Sequence, residues 1–296
     1  MMKTLGKTIA MGMAVLAALA CNPSAKDLKT ETFDFADSTA HSHLTIKAEL
    51  PVPGNGASAQ IRTRLIDVMD EQLSHIGTYE KDRMFPAFEG DRDDSKALME
   101  YYRTQAAGTI GSVSGEDYAE RVQSLDENDG LTEEEKAEIL STMPGWEYSF
   151  SLCKTAETDR YVVFLSEDYV YQGGAHGGIL GRGPLTFDKK DGHLIEQFLE
   201  ASSLGDMQPL LRKGLTEYFS DGGTEVSPEQ LDEWLMLENG QVPFPTWEPF
   251  PSEDGLVFTY QQYEIASYAA GMPNFTIPYA DILPYLTREA RQALGK

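Results

Sequence analysis

The sequence predicts an α+β fold, an antiparallel or mixed sheet with helices packed on it, and three observations predict it. In WEYSFSL, Trp146, Tyr148, Phe150 and Leu152 alternate with less apolar residues, the two-residue period of a half-buried strand. YVVFL, residues 161–165, is a continuous apolar run of strand length. Strands and helices are grouped instead of strictly alternating, which favours α+β over a doubly wound α/β sheet.

The elements follow in chain order. LTIKAEL, residues 44–50, alternates Leu44, Ile46, Ala48 and Leu50, a strand, and PVPGNG is a turn. Ser58 can cap a helix with Ile61, Leu65, Val68, Met69, Leu73 and Ile76 on one face, stopped by Gly77. From about residue 80 to 145 the chain is polar and acidic and predicts several short helices. In SKALMEYY, Leu98, Tyr101 and Tyr102 share a side, and Thr132 and Glu135 stand at capping-box spacing. After WEYSFSL and YVVFL, PLTFDKKDGHLI predicts a hairpin turning at Asp191 and Gly192. Asp206 can cap a helix carrying Met207, Leu210, Leu211, Leu215 and Tyr218 inward, and Ser227-Pro228 with Gln230 starts another. GLVFTYQQYEI and NFTIPY predict strands, and DILPYLTREARQAL closes the chain as a helical segment.

The N-terminus reads as an address. Lys3 and Lys7 precede the short apolar run IAMGMAVLAALA, and Cys21 follows directly. That pattern predicts a lipoprotein signal peptide over residues 1–20, lipidation of Cys21 and a tether over residues 21–30. Ordinary secretion is the rival reading, because Ala18 and Leu19 depart from the commoner order before such a cysteine. The apolar run is too short to span a membrane, and no later stretch approaches 18 apolar residues. The expected location is the bacterial cell envelope, lipid-anchored, periplasmic or on the outer surface.

A formal charge of −24, from 24 basic and 48 acidic side chains in 296 residues, argues against nucleic-acid binding and for a basic partner. Loss of Lys3 and Lys7 would make it two charges more negative. Cys153 has no partner if Cys21 is lipidated, and it reads as a small strand residue.

Most catalytic signatures fail. GTIGSVSG has Val113 where a nucleophile elbow needs serine, and neither a GxxxxGK[ST] loop nor a GxGxxG helix start exists. LDENDGLTEEE brings its glycine one position too early for a calcium loop. His41 and His43 lack a third metal ligand, His75 suits a helix C-terminus, and His193 follows a turn. No metal, no cofactor and no catalytic residue is assigned.

YVYQGGAHGG, residues 169–178, stands apart. Tyr169 and Tyr171 lead into Gly173 and Gly174, then His176, then Gly177 and Gly178. The residues alone leave three readings of His176 open: a turn or core histidine, part of a binding surface, or a general base needing a third group to orient it.

Taken together, YVYQGGAHGG with TFDKKDGHLI, and FPSEDGLVFTYQQYEIASYAAGMPNFTIPYADILPYL, resemble the extracellular module shared by the anti-sigma factor RsiV and the non-catalytic part of the peptidoglycan deacetylase PdaC. Tyr171, Gly173, Gly174, Ala175, His176 and Gly177 match the loop. Tyr263, Glu264, Ile265, Ala266, Tyr268, Ala269, Gly271, Ile277, Pro278 and Tyr279 match the second signature. Ser267 stands where proline is more usual. The likeness covers roughly residues 145–290. It implies two subdomains, residues 31–143 and 144–296, the second resembling a small subdomain of the actin and Hsp70 ATPase fold without its activity.

The resulting expectation is a non-catalytic, lipid-anchored envelope binding module. Its expected partner is a basic protein such as lysozyme, or a cell-wall glycan. The candidate binding residues are Tyr171, Gly173, Gly174, His176, Gly177, Tyr263 and Glu264. The alternative is an enzyme acting on cell-wall glycan or peptidoglycan through His176 and a carboxylate such as Glu264. A purely structural role is the third possibility.

Overall fold

The computed structural model describes residues 27–76, 83–128, 130–173, 178–220 and 225–296. Five strands form the larger sheet: β1 (Thr30–Ser38), β2 (Ser42–Pro51), β3 (Trp146–Glu157), β4 (Tyr161–Tyr171) and β5 (Ile179–Asp188), side by side in chain order. Neighbours are antiparallel except β2 and β3, whose parallel register sets Ile46 beside Phe150. A parallel pair needs a long crossover. Here it contains the helices α1 (Ala57–Ser74), α2 (Ser95–Asp126) and α3 (Glu133–Thr142). The smaller antiparallel sheet, β6 (Phe250–Pro251), β7 (Gly255–Thr259) and β8 (Asn274–Pro278), shares a second core with α4 (Leu204–Phe219), α5 (Pro228–Trp234), the one-turn α6 (Tyr279–Ile282) and α7 (Arg288–Leu294). This is the α+β arrangement that the sequence predicts. Among the described residues, no helix is long and apolar enough to cross a membrane.

β4 explains why YVVFL is apolar throughout. Val162 and Phe164 enter the core beneath α1 and α2, with Ile46, Leu65 and Phe150. Tyr161 and Val163 enter the second core, with Leu211, Phe258 and Ile277. Successive strand residues face opposite sides, so this half of β4 has no solvent face and no use for polar residues. Each fully buried Val or Phe contributes about 1.5–3 kcal/mol relative to exposure. In β3, Trp146, Tyr148, Phe150 and Leu152 are buried as the alternation predicts, and Cys153 is half-buried on the other face.

Two of the capping signals hold, whereas Asp206, expected to cap a helix, lies within the first turn of α4, which starts at Leu204 without a side-chain cap. Thr132 with Glu135, and Ser227 with Gln230, form complete capping boxes. α1 instead begins one residue before Ser58: Gly56 is its cap, and no side chain caps it. Of the short helices expected between residues 80 and 145, the one after Thr132 is α3, whereas Ser95–Asp126 is a single 32-residue helix, α2. Its buried stripe of Leu98, Met99, Tyr102, Ala106, Ile110 and Ser114 keeps helical spacing through the glycines. Each glycine costs about 0.8–1 kcal/mol in a helix interior. Gly111 is compensated by closeness, since a β-carbon there would lie 3.3 Å from the Thr39 methyl. β1 was not expected. Phe33 and Phe35 lean on the core while Thr32, Asp34 and Ala36 between them are exposed.

Candidate functional site

The two signature stretches meet at the outer edge of β5. Of the candidate binding residues, Gly174, His176 and Gly177 lie outside the described residues, as does Cys21. The described flanks of the loop show how it is held. Tyr171 ends β4 half-buried. Gly173 adopts φ +71°, and a β-carbon there would lie 3.1 Å from the Pro144 carbonyl oxygen, two reasons for glycine. Arg121 of α2 donates through Nη2 to the carbonyls of Gln172 (2.7 Å) and Gly173 (3.3 Å). Asp117, one turn earlier, holds that guanidinium at 2.9 Å and accepts the Trp146 indole N–H at 2.8 Å. Thus α2 and the start of β3 brace the beginning of the loop.

The second signature braces its end. The Tyr268 hydroxyl donates to the Gly178 carbonyl at 2.8 Å, and the Tyr169 ring lies against Gly178. Along β5, the Leu180 amide donates to Gln262 Oε1 at 2.9 Å. Gln261 makes two bonds to Arg182: it accepts the amide at 3.0 Å and donates to the carbonyl at 3.1 Å. These side-chain amides supply to β5 what a sixth strand would, satisfying an otherwise open edge.

Tyr263 and Glu264, adjacent in sequence, do opposite things. Glu264 turns inward: Oε1 accepts from the Thr246 amide (2.5 Å) and hydroxyl (2.9 Å), and Oε2 accepts from the Gln261 amide (2.7 Å). Its carboxylate brackets the segment before Trp247 to the segment before Tyr263. Tyr263 turns outward. It is 51% exposed, its ring centroid lies 5.7 Å from that of Tyr268, and its φ of +65° is unusual for a residue with a side chain. Trp247, 40% exposed, lies over Gly183 of β5, where a β-carbon would come within 3.3 Å of its ring. Trp247, Gln261, Gln262 and Arg121 were missed from sequence. The adjacent glutamines were a faint signal, because a side-chain amide both donates and accepts, as an open strand edge requires.

The charged groups sort by face. Glu167 pairs with Arg182 at 2.6 Å on the face of β4 that carries Tyr161 and Val163. Asp168 faces the other way, over Gly181, and burial raises its carboxyl above the usual range. Burial also raises the Cys153 thiol, which argues against nucleophilic reactivity. His41 stacks on Tyr118 with centroids 3.8 Å apart, and His43 Nδ1 lies 2.8 Å from the Ser38 hydroxyl. Among the described residues, no group of three His, Cys, Asp or Glu could hold a metal. A cavity of about 30 Å³ between His41, Asp117, Tyr118 and Trp146 is large enough for water and too small for a sugar. His193, expected only to follow a turn, bridges two carboxylates: Nδ1 lies 2.5 Å from Asp191 and Nε2 2.7 Å from Glu289 of α7.

Comparison with known proteins bears on the fold. Residues 203–280 match the family described as "Protein of unknown function (DUF3298)". That segment contains Tyr263 and Glu264 and starts after the glycine loop. No curated protein matches the chain. A member of the DUF3298 family from Bacteroides fragilis superposes with a TM-score of 0.61 at 17% identity, over 91% of this chain and 98% of that one. A DUF3298 family protein from Pseudomonas aeruginosa PAO1 superposes with a TM-score of 0.53 at 13% identity, over 89% and 96% of the two chains. Such identities carry the fold and not an activity. Residues 203–280 are therefore similar to DUF3298, within a fold that the protein shares with these two crystallised proteins.

Proposed function

We propose that this protein is a non-catalytic binding module of the bacterial cell envelope, held to the membrane by a lipid on Cys21, and that its partner is a basic protein such as lysozyme. The bracketing of Glu264 carries the reading. A carboxylate that already accepts three hydrogen bonds is committed to holding Trp247 and Tyr263 in place. As an acid/base partner for His176 it would have to give those bonds up. Exposed tryptophan and tyrosine on a rigid frame suit recognition, because large rings add contact area at little entropic cost. The charge of −24 favours encounter with a positively charged surface.

Cell-wall glycan is the second reading, supported by the ring of Trp247 lying over Gly183. Titration calorimetry with lysozyme at low and physiological salt separates the two. We expect binding that weakens with salt and falls at least tenfold, about 1.4 kcal/mol, in Trp247→Ala and Tyr263→Ala. Binding to soluble peptidoglycan fragments with none to lysozyme favours the glycan reading. Absence of both overturns the proposal.

A further inference from the structure

The described chain begins at the end of the sheet opposite the glycine loop. The Leu28 amide donates to Glu157 at 2.6 Å, and Lys154 Nζ donates to the Leu28 carbonyl at 3.0 Å. Glu157 closes β3 and pairs with Val162 at the start of β4, whereas Tyr171, before the loop, pairs with Glu147. The eleven residues of β4 separate the two ends by roughly 35 Å.

The same pole gathers the β3–β4 turn, the turn after β5, and α7. Lys189 donates its amide to the Arg160 carbonyl at 2.7 Å, Arg160 reaches the Gln292 carbonyl at 3.4 Å, and His193 joins Glu289. Two of its lysines pair with the one carboxylate of Glu157: Lys154 at 2.9 Å and Lys189 at 2.6 Å. Lys29, Arg160, Lys190, Arg288, Arg291 and Lys296 are all exposed. Among the described residues, none of these six forms an ion pair with a side-chain carboxylate. Asp27, Glu157, Asp159, Asp188, Asp191 and Glu289 share this pole with those cations and with Lys154 and Lys189, which leaves it weakly cationic; in a chain with twice as many acidic as basic side chains, that makes the molecule polar.

We propose that this pole rests on an anionic lipid surface, so that the glycine loop, Trp247 and Tyr263 face away from the membrane. The inference rests on the lipid-anchored reading above. Six residues from Cys21 to Asp27 reach at most roughly 20 Å when extended, which keeps this end of the sheet near the bilayer. Electrostatic attraction to headgroups acts within about one Debye length, about 8 Å at physiological salt. The weakly cationic pole is therefore drawn in, while the acidic remainder is repelled; both effects favour one orientation.

Amide hydrogen exchange on the full-length acylated chain tests it, in vesicles of neutral phosphatidylcholine and of phosphatidylcholine mixed equally with anionic phosphatidylglycerol. Residues 158–160, 189–193 and 288–296 should exchange several-fold more slowly on the anionic vesicles, with residues 261–272 unchanged. Lys190→Glu combined with Arg288→Glu, both solvent-facing, should abolish that slowing at an unchanged thermal midpoint. An acylated chain that exchanges equally on both lipids, or is protected at Tyr263 instead, overturns the orientation alone. An intact mass without acyl groups overturns the anchor and the orientation with it.

Discussion

The side-chain amide of Gln261 pairs with the backbone of Arg182 as a neighbouring strand would, accepting at 3.0 Å and donating at 3.1 Å. The two residues are 79 positions apart, and this joint locks the second signature to the strand that follows the glycine loop.

Gln261→Ala should therefore cost about 1–2 kcal/mol, two ordinary hydrogen bonds at a half-buried edge. Gln261→Glu should cost at least as much, since it keeps one acceptor and sets a second against the Arg182 carbonyl. Urea denaturation checks both, and exchange of the Arg182 amide should quicken in each.

At the Glu264 bracket, Glu264→Ala leaves the amides of Thr246 and Gln261 without their acceptor. A loss of about 2–3 kcal/mol is expected for bonds to a charged group. Tyr263→Gly should instead raise stability, by about 0.5–1 kcal/mol, because glycine adopts φ +65° freely. Tyr263→Ala keeps the strained φ and should show no such gain. If Tyr263 is a contact residue, the glycine variant gains stability while losing partner affinity, measured by calorimetry on the same sample.

The His193 bridge makes stability depend on pH in a defined direction. Its hydrogen bond to Asp191, then the one to Glu289, raises the imidazole above its ordinary value. A raised folded-state value means stabilisation that is complete below the unfolded value and lost as pH rises through the folded one. Asp191 is lowered, chiefly by its bond to His193, so its share disappears as pH falls through the folded carboxyl value. Wild type and His193→Gln should thus differ most near pH 5–6, between the ordinary carboxylate and imidazole ranges of about 4 and 6.5. The gap in thermal midpoint should close by about pH 9.

Asp168 behaves in the opposite sense to Asp191. Burial raises its carboxyl, so the folded state binds a proton more readily than the unfolded chain. Stability gained from this group rises as pH falls through that raised value. Asp168→Asn should lift the thermal midpoint at pH 7 and flatten this part of the pH profile. An unchanged profile would mean that the carboxylate is solvated.

Much of the fold was legible in short stretches. Alternation in WEYSFSL named the buried face of β3, and the unbroken YVVFL named a strand, though not that cores cover both of its faces. The boxes at Thr132 and Ser227 were readable because a cap is completed within four residues. Each of these depends on period or near neighbours, which one-dimensional text preserves. The continuity of α2 was not legible, because its glycines argue locally against a helix and contacts such as Gly111 with Thr39 argue for it. Nor was the parallel pairing of β2 with β3 across three helices.

At the candidate site the division is sharper. The residues around Tyr171, Gly173, Tyr263 and Glu264 stood out as sequence, yet their roles did not. Only the folded chain turned Glu264 inward as a bracket, set Tyr263 and Trp247 outward, and brought Gln261 to Arg182. The same holds for charge. Composition determined its sign and size, while folding decided that exposed cations gather at the end of the sheet where the described chain begins. Composition sums over the chain regardless of position. A site or a charged face exists only when packing has brought distant residues within a few ångströms of one another.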